Sequence, residues 1–372
     1  MGIPPICGLC KDGFRRRRVR SKLGHILTIH KVQKNQRFPE VHFMLRSFCA
    51  GAAALAFTGS CFANDASAPP APPPQYVIIS FDGALHLEQW QRSRALGQET
   101  GARFTFFLSC VYLLSPETRR AYQAPGMARG RSNVGSGYSR ADVEGRLSQI
   151  WTARAEGHEI ASHACGHFDG KDWSAADWEA EFDQFTAIAA NAWKLNGIDG
   201  EPKGWQDFVR KDIRGFRAPY LSSSPALFAA LGARGFDYDA STVSSGPVLP
   251  RTRGGVTRFS LPLIPEGPRE KQVIAMDYNL YVRHSGGKEK PENASAFEER
   301  AYQAFMTSFE KEYAGKRTPV QLGFHFTLMN DGAYWNAMER FARDVCIRKD
   351  VRCVSYRDYL DRQAGTAANG GT

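Results

Sequence analysis

Apolar and polar residues change rhythm at residue 76. From there, short β-rich runs recur: Tyr76–Phe81, Arg103–Leu108, His158–Ser162, Arg214–Arg217, Gly235–Asp239, Val273–Met276, Gln321–Phe326 and Arg352–Ser355. Longer stretches with helical spacing of apolar residues lie between several of them: Leu87–Thr100, Arg140–Glu156, Trp173–Leu195, Ser224–Arg234, Glu298–Tyr313 and Tyr334–Val345. Strands that alternate with helices predict an α/β fold with a parallel sheet, and about eight repeats over this length predict a barrel. No second apolar pattern and no internal repeat interrupts the series, so 76–362 reads as one domain, followed by a disordered tail, 363–372. Two segments fit neither element: Leu113–Gly137, rich in Gly, Arg and Ser, and Ser244–Gly255, which holds two prolines. Loops of that length in a compact domain are commonly functional, and here they are expected to shape a groove at the barrel mouth.

Composition agrees with a packed core: 42% of residues are hydrophobic and 12% aromatic, which excludes a disordered polymer. The formal charge of +10 is concentrated at one end. Residues 1–63 hold eleven Lys and Arg against two acids, leaving the other 309 residues at +1. That distribution removes the electrostatic case for a nucleic-acid partner. The same stretch contains a targeting pattern. Met44-Leu45-Arg46-Ser47 forms a short basic segment, and Phe48–Phe57 is an apolar run too short to span a bilayer. Small and polar residues suited to cleavage follow around Ala63. Residues 44–63 therefore read as a signal peptide for an exported protein, 1–43 as an over-extended, disordered start, and 64–75 as a Pro/Ala-rich linker. The Cys7–Cys10 pair lacks a second pair at zinc-finger spacing, and no transmembrane helix is expected in the mature chain.

Export changes the meaning of the cysteines. Four remain in the body, Cys110, Cys165, Cys346 and Cys353. An even number in an oxidising compartment favours two bridges. Cys346 and Cys353 flank a short helix-to-strand loop, while Cys110 and Cys165 each follow a strand pattern and can meet in a parallel barrel. Buried thiols are the alternative.

The reactive polar residues fall at the carboxyl ends of the predicted strands, where barrel enzymes place their sites. Asp82 ends the first, His163 and His167 follow the third, Arg217-Ala-Pro-Tyr220 follows the fourth, Asp237 and Asp239 share one face of the fifth, and His325 lies near the end of a later one. Each has an ordinary structural reading alone. A strand-end Asp caps the next helix, a strand His is a bonded core residue, and Arg-x-Pro-Tyr is a turn forced by proline. Their order and shared barrel end distinguish them.

Taken together, FDG, HxxxH, RAPY, YD and FH, with the phrases GHEIASHACGHFDG, GFRAPYL and GFDYDAST, resemble the polysaccharide deacetylases with NodB homology, in the branch of chitin-deacetylase-like proteins. The resemblance covers nearly the whole predicted domain. It implies a single distorted (β/α)7 barrel, a bound divalent metal (usually zinc, Zn2+) and hydrolysis of N-acetyl groups on an N-acetylated polysaccharide. His163 and His167 would be metal ligands, and Asp82 would stand where the family has its catalytic base. Arg217 would orient that carboxylate, and the Tyr220 backbone N–H would help hold the oxyanion. His325 would protonate the leaving amine, held by Asp239 or Asp237. Amide hydrolysis needs this set: a Lewis acid, an activated water, an oxyanion partner and a proton donor.

One position departs from the pattern. The family's first motif usually carries two adjacent Asp, base and metal ligand, and here the second is Gly83. A ligating carboxylate loses basicity to the cation, so Asp82 cannot readily serve both purposes. Asp82 as ligand with another base, completion by Asp169 or Asp172, and a weak site of two histidines and water all remain open. Two functions follow: an exported metal-dependent deacetylase, or a catalytically silent glycan-binding relative.

Overall fold

The computed structural model describes residues 72–369. The expected leader, signal peptide and most of the linker lie outside the described residues. Among the described residues there are ten strands: β1 (Gln75–Gly83), β2 (Thr105–Leu108), β3 (Glu159–Ser162), β4 (Gly215–Phe216), β5 (Tyr238–Ser244), β6 (Arg251–Arg253), β7 (Val256–Glu266), β8 (Lys271–Ile274), β9 (Val320–His325) and β10 (Val351–Cys353). Ten α-helices accompany them: α1 (Leu87–Thr100), α2 (Arg140–Ala155), α3 (Ala175–Ala190), α4 (Ala192–Leu195), α5 (Trp205–Lys211), α6 (Pro225–Ala233), α7 (Asp277–Ser285), α8 (Ala294–Ala314), α9 (Ala333–Val345) and α10 (Tyr356–Asn369).

Seven strands form a parallel ring in the order β9, β1, β2, β3, β4, β5, β7, and β10 adds parallel to the start of β1. The ring closes through the residues after β8, where Ala275 N–H donates to Pro262 of β7 (2.9 Å) and Gly323 N–H of β9 donates to Ala275 (2.9 Å). The result is a distorted barrel of the (β/α)7 kind. Period-two alternation divides β1 between two cores. Val77, Ile79 and Phe81 face the helix layer with Trp90, Phe106 and Trp335, while Ile78 joins Phe107, Tyr238, Phe259 and Tyr356 inside the barrel. Ser80 and Asp82 continue that inner face upward to a polar mouth, while the aromatic layer below also encloses Gln321 and Glu159, whose carboxylate accepts from Thr105 and Tyr238.

The expected helices form, with local differences. Trp173–Leu195 divides at Asn191 into α3 and α4, and α3 starts on a capping box in which the side chains of Ser174 and Asp177 accept each other's backbone N–H. The long β7 lies outside every expected strand because Pro262 and Pro265 interrupt its pattern. It forms a hairpin with β6, within the segment expected to be a loop. The tail expected to be disordered from residue 363 continues α10 to Asn369. Both bridges form, Cys110–Cys165 and Cys346–Cys353. No described helix is long and apolar enough to cross a membrane.

Candidate active site

Parallel register brings the first two groups together. Asp82 of β1 and His325 of β9 are direct register partners, both on the inner face. His163 leaves β3 one residue beyond its end, and its backbone N–H donates to Leu108 of β2 (2.9 Å). Arg217 leaves β4 in the same way, donating its backbone N–H to Ser162 (3.0 Å). Strand ends that run level around a barrel therefore place four separated sequence positions at one mouth.

Arg217 is the hub. It is fully buried, and its guanidinium donates to Asp82 Oδ1 (2.8 Å), Ser80 Oγ (2.9 Å), Ala240 O (3.1 Å) and Tyr356 Oη (2.9 Å). It also lies 4.3 Å from the ring centre of Phe107. Burial raises the Asp82 carboxyl, but Arg217, His163 and His325 outweigh it and hold Asp82 below its ordinary value. The carboxylate is therefore ionised at neutral pH.

The two histidines of the HxxxH segment are kept neutral. Burial lowers His163, opposed by Asp82 and by a 2.7 Å hydrogen bond to the Arg217 carbonyl. Only Nδ1–H can donate to that carbonyl, so Nε2 carries the lone pair. Burial, with His163 and His325 nearby, drives His167 down to about 3. The two rings stand 5.1 Å apart, and the His167 ring is 4.9 Å from Tyr220. Neutral imidazoles with one nitrogen fixed by a carbonyl suit a divalent metal. The third ligand is a different matter. Among the described residues no three His, Cys, Asp or Glu side chains are grouped to hold one ion. Asp82 is engaged by Arg217, Asp169 accepts the Lys171 backbone N–H, and Asp172 is exposed. The space beside Gly83 is filled instead by Tyr112, whose ring edge would meet a Cβ there at 3.4 Å.

His325 has a partner that sequence reasoning missed. Asp277, fully buried at the start of α7, accepts the His325 backbone N–H on Oδ2 and ring Nδ1–H on Oδ1, each at 2.7 Å. Burial lowers His325, yet Asp277, its hydrogen bond and Asp82 overcome this and raise it above its ordinary value. Neither expected partner bonds to His325. Asp239 pairs in register with Phe216, on the helix side of the sheet, and accepts from Ser241 Oγ (2.5 Å). Asp237, at the opposite end of β5, pairs with Arg214 and Arg357. The alternation that takes Tyr238 and Ala240 inside turns both Asp residues out. The rule that singled out Asp82 finds Asp277 as well, since it immediately follows the run Val273–Met276.

The histidine segment is clamped from behind. Glu181 of α3 accepts the Cys165 backbone N–H (2.8 Å) and the Tyr122 hydroxyl (2.9 Å), and that hydroxyl accepts Gly166 N–H (3.1 Å). Gly166 has no room for a side chain, because a Cβ would lie 2.6 Å from the rings of Phe168 and Tyr122. The Cys110–Cys165 bridge ties the same segment to the end of β2. Left-handed non-glycine backbone collects here, at Ala84, Ala164, His167, Tyr220 and Leu221. Such strain persists where surrounding contacts over-determine a site.

No family model matches the chain. No curated protein matches it either. Solved structures follow a similar backbone course. A protein from Mycobacterium smegmatis assigned as a polysaccharide deacetylase is 15% identical at a TM-score of 0.49, covering 81% of this chain and 95% of that one. The peptidoglycan deacetylase PdaC from Bacillus subtilis is 10% identical at 0.41, covering 82% and 100%. A CE4 family pseudoenzyme from Bacillus anthracis, BA3943, is 9% identical at 0.41, covering 77% and 66%. These are likenesses of backbone course alone and assign no role to the residues of this chain.

Proposed function

We propose that this chain is an exported, metal-dependent hydrolase that removes N-acetyl groups from an amino-sugar polysaccharide. The observation that carries this reading is the assembly at one barrel mouth of an ionised Asp82, two neutral imidazoles and a His325 braced by Asp277. His163 and His167 would hold the metal, with Asp82 the carboxylate whose charge acts on both rings, and zinc bound there would supply Lewis acidity to the amide carbonyl and the attacking water. Asp82, oriented by Arg217, takes the proton of that water. His325 carries its proton on the ring nitrogen that Asp277 does not engage, and gives it to the departing amine. The Tyr220 backbone N–H, in a left-handed turn whose side-chain ring lies 4.9 Å from that of His167, would help hold the oxyanion. Tyr138, 59% exposed with its ring 5.7 Å from His86, offers an apolar face at the rim for a sugar ring.

The test is metal content together with acetate release from N-acetylated chito- and peptidoglycan oligomers. Release should depend on added zinc and be lost in His163→Ala and in His325→Ala. Release that survives both substitutions sinks the reading. The ungrouped third ligand favours one alternative, a silent glycan binder, which predicts saccharide binding with neither metal nor acetate release.

A further inference from the structure

The loop between β2 and α2 carries four arginines, Arg119, Arg120, Arg129 and Arg131, all exposed. Among the described residues none of the four pairs with an acidic side chain, although Arg92, Arg94, Arg234, Arg340 and Arg343 all do. The local acids are already engaged. Asp183 pairs with Arg234, Glu181 bonds Tyr122, and Asp142 accepts from Ser139. Glu117 is the one acid between residues 115 and 138, and its carboxyl is bonded to Ser115.

This loop has a defined shape. Gly130 N–H donates to Tyr122 O (2.8 Å), and a Cβ on Gly130 would lie 3.4–3.5 Å from the Arg119 and Arg120 stems. The two limbs therefore run side by side, with Arg119 and Arg120 on one and Arg129 and Arg131 flanking Gly130 on the other. The loop is also anchored to the candidate active site. Asn133 donates its backbone N–H to Gly166 O (2.8 Å) and its side-chain amide to His167 O (3.1 Å), while Tyr122 receives Gly166 N–H. Four cations thus gather beside the histidine segment on a body whose net charge is only +1. Crowded like charges repel unless an anion joins them.

We propose that this loop is a carboxylate-binding subsite, so that the polymer served by the barrel mouth is an acidic N-acetylated glycan. The planar guanidinium fork matches a carboxylate in two parallel hydrogen bonds, which a neutral glycan cannot reproduce. The Asn133 bonds to Gly166 and His167 tie the arginine loop to the segment where the acetamide would sit, so the carboxylate would be carried on a sugar flanking the acetylated one. This inference rests on the hydrolase reading for the position of the acetamide, and the two separate experimentally. The carboxylate has two possible sources, a uronic acid in the backbone or an acid side arm on the amino sugar.

The experiment measures binding by the full chain carrying His325→Gln, which prevents turnover. The probes are hyaluronan oligomers for a uronic acid, peptide-trimmed peptidoglycan strands for a side-arm acid, and neutral chitin oligomers of equal length. At least one acidic probe should bind about tenfold or more tightly than the neutral one, with the advantage lost between about 0.05 M and about 0.5 M salt. Changing all four arginines to Gln should collapse the ratio of acidic to neutral affinity, with an unchanged melting temperature reporting an intact fold. Equal affinity for all probes, or a ratio that survives the four substitutions, overturns the subsite. Acetate release by the unsubstituted chain is assayed separately. An acidic preference without any release removes the hydrolase reading and keeps the subsite. Release confined to neutral oligomers does the reverse.

Discussion

Asp277→Asn is the most searching single perturbation. Asp277 accepts two hydrogen bonds from His325, backbone N–H and ring Nδ1–H, and a third from the Tyr278 backbone N–H (2.6 Å). Asparagine has one acceptor oxygen and one donor group. If its oxygen faces the ring, its amide confronts the His325 backbone N–H and that donor is left unmatched. If its oxygen faces the backbone, its amide donates to Nδ1, and the neutral ring carries its proton on the other nitrogen. One charge-assisted bond is lost in either arrangement, about 1.5–3 kcal/mol. Spent entirely on the transition state, that is a fall in kcat of about 10-fold to 150-fold. Asp277 is also the chief cause holding His325 up, so its loss should lower the His325 pKa. A proton donor must be protonated to act, so the alkaline limb of the rate profile should move to lower pH. The assay is acetate release across a pH series, with His325→Gln as reference. A variant that keeps the original rate and an unmoved alkaline limb refutes the brace.

Three further outcomes follow from the same contacts. Burial raises Asp239 from 3.8 to about 6, so its contribution is full below the unfolded value and is lost as pH rises through about 6; Asp239→Asn should therefore stabilise the protein at neutral pH by up to ~3 kcal/mol and do little near pH 4, read from denaturant midpoints. It should leave acetate release intact, which separates it from Asp277. Glu181→Ala strips the acceptor behind Cys165 and Gly166 and should weaken zinc binding about 10-fold to 100-fold, with Glu181→Gln recovering part of the loss in a competition titration. Replacing Cys110 and Cys165 by Ser opens a 55-residue connection and should cost about 4 kcal/mol, against about 2.5 kcal/mol for the 7-residue Cys346–Cys353 connection; equal losses would show that loop closure is not the source.

The strands and helices that were legible are those whose pattern is local. Tyr76–Phe81 is a short, nearly continuous apolar run rich in β-branched residues, and Tyr334–Val345 carries a strong helical stripe, so each is legible from its own residues. Strand β7 was hidden because its prolines break the pattern, and it is held by partners on both sides rather than by its own composition. Asp277 stands at a legible strand end, but its partnership with His325 was hidden for a related reason. Its importance comes from β9, which arrives 48 residues later.

The residue order alone determined which side chains carry acid, base or metal-ligating chemistry, and that Asp82, His163, Arg217 and His325 lie at strand ends. It determined the cysteine supply and the concentration of positive charge ahead of residue 64. The tertiary structure alone decided the partnerships. Register set Asp82 against His325, barrel closure delivered Asp277 in place of Asp239, and the folded loop turned four scattered arginines into one patch. Strand alternation says which face a residue takes only once the phase is known. Phase is set by pairing with distant strands, which no local pattern records.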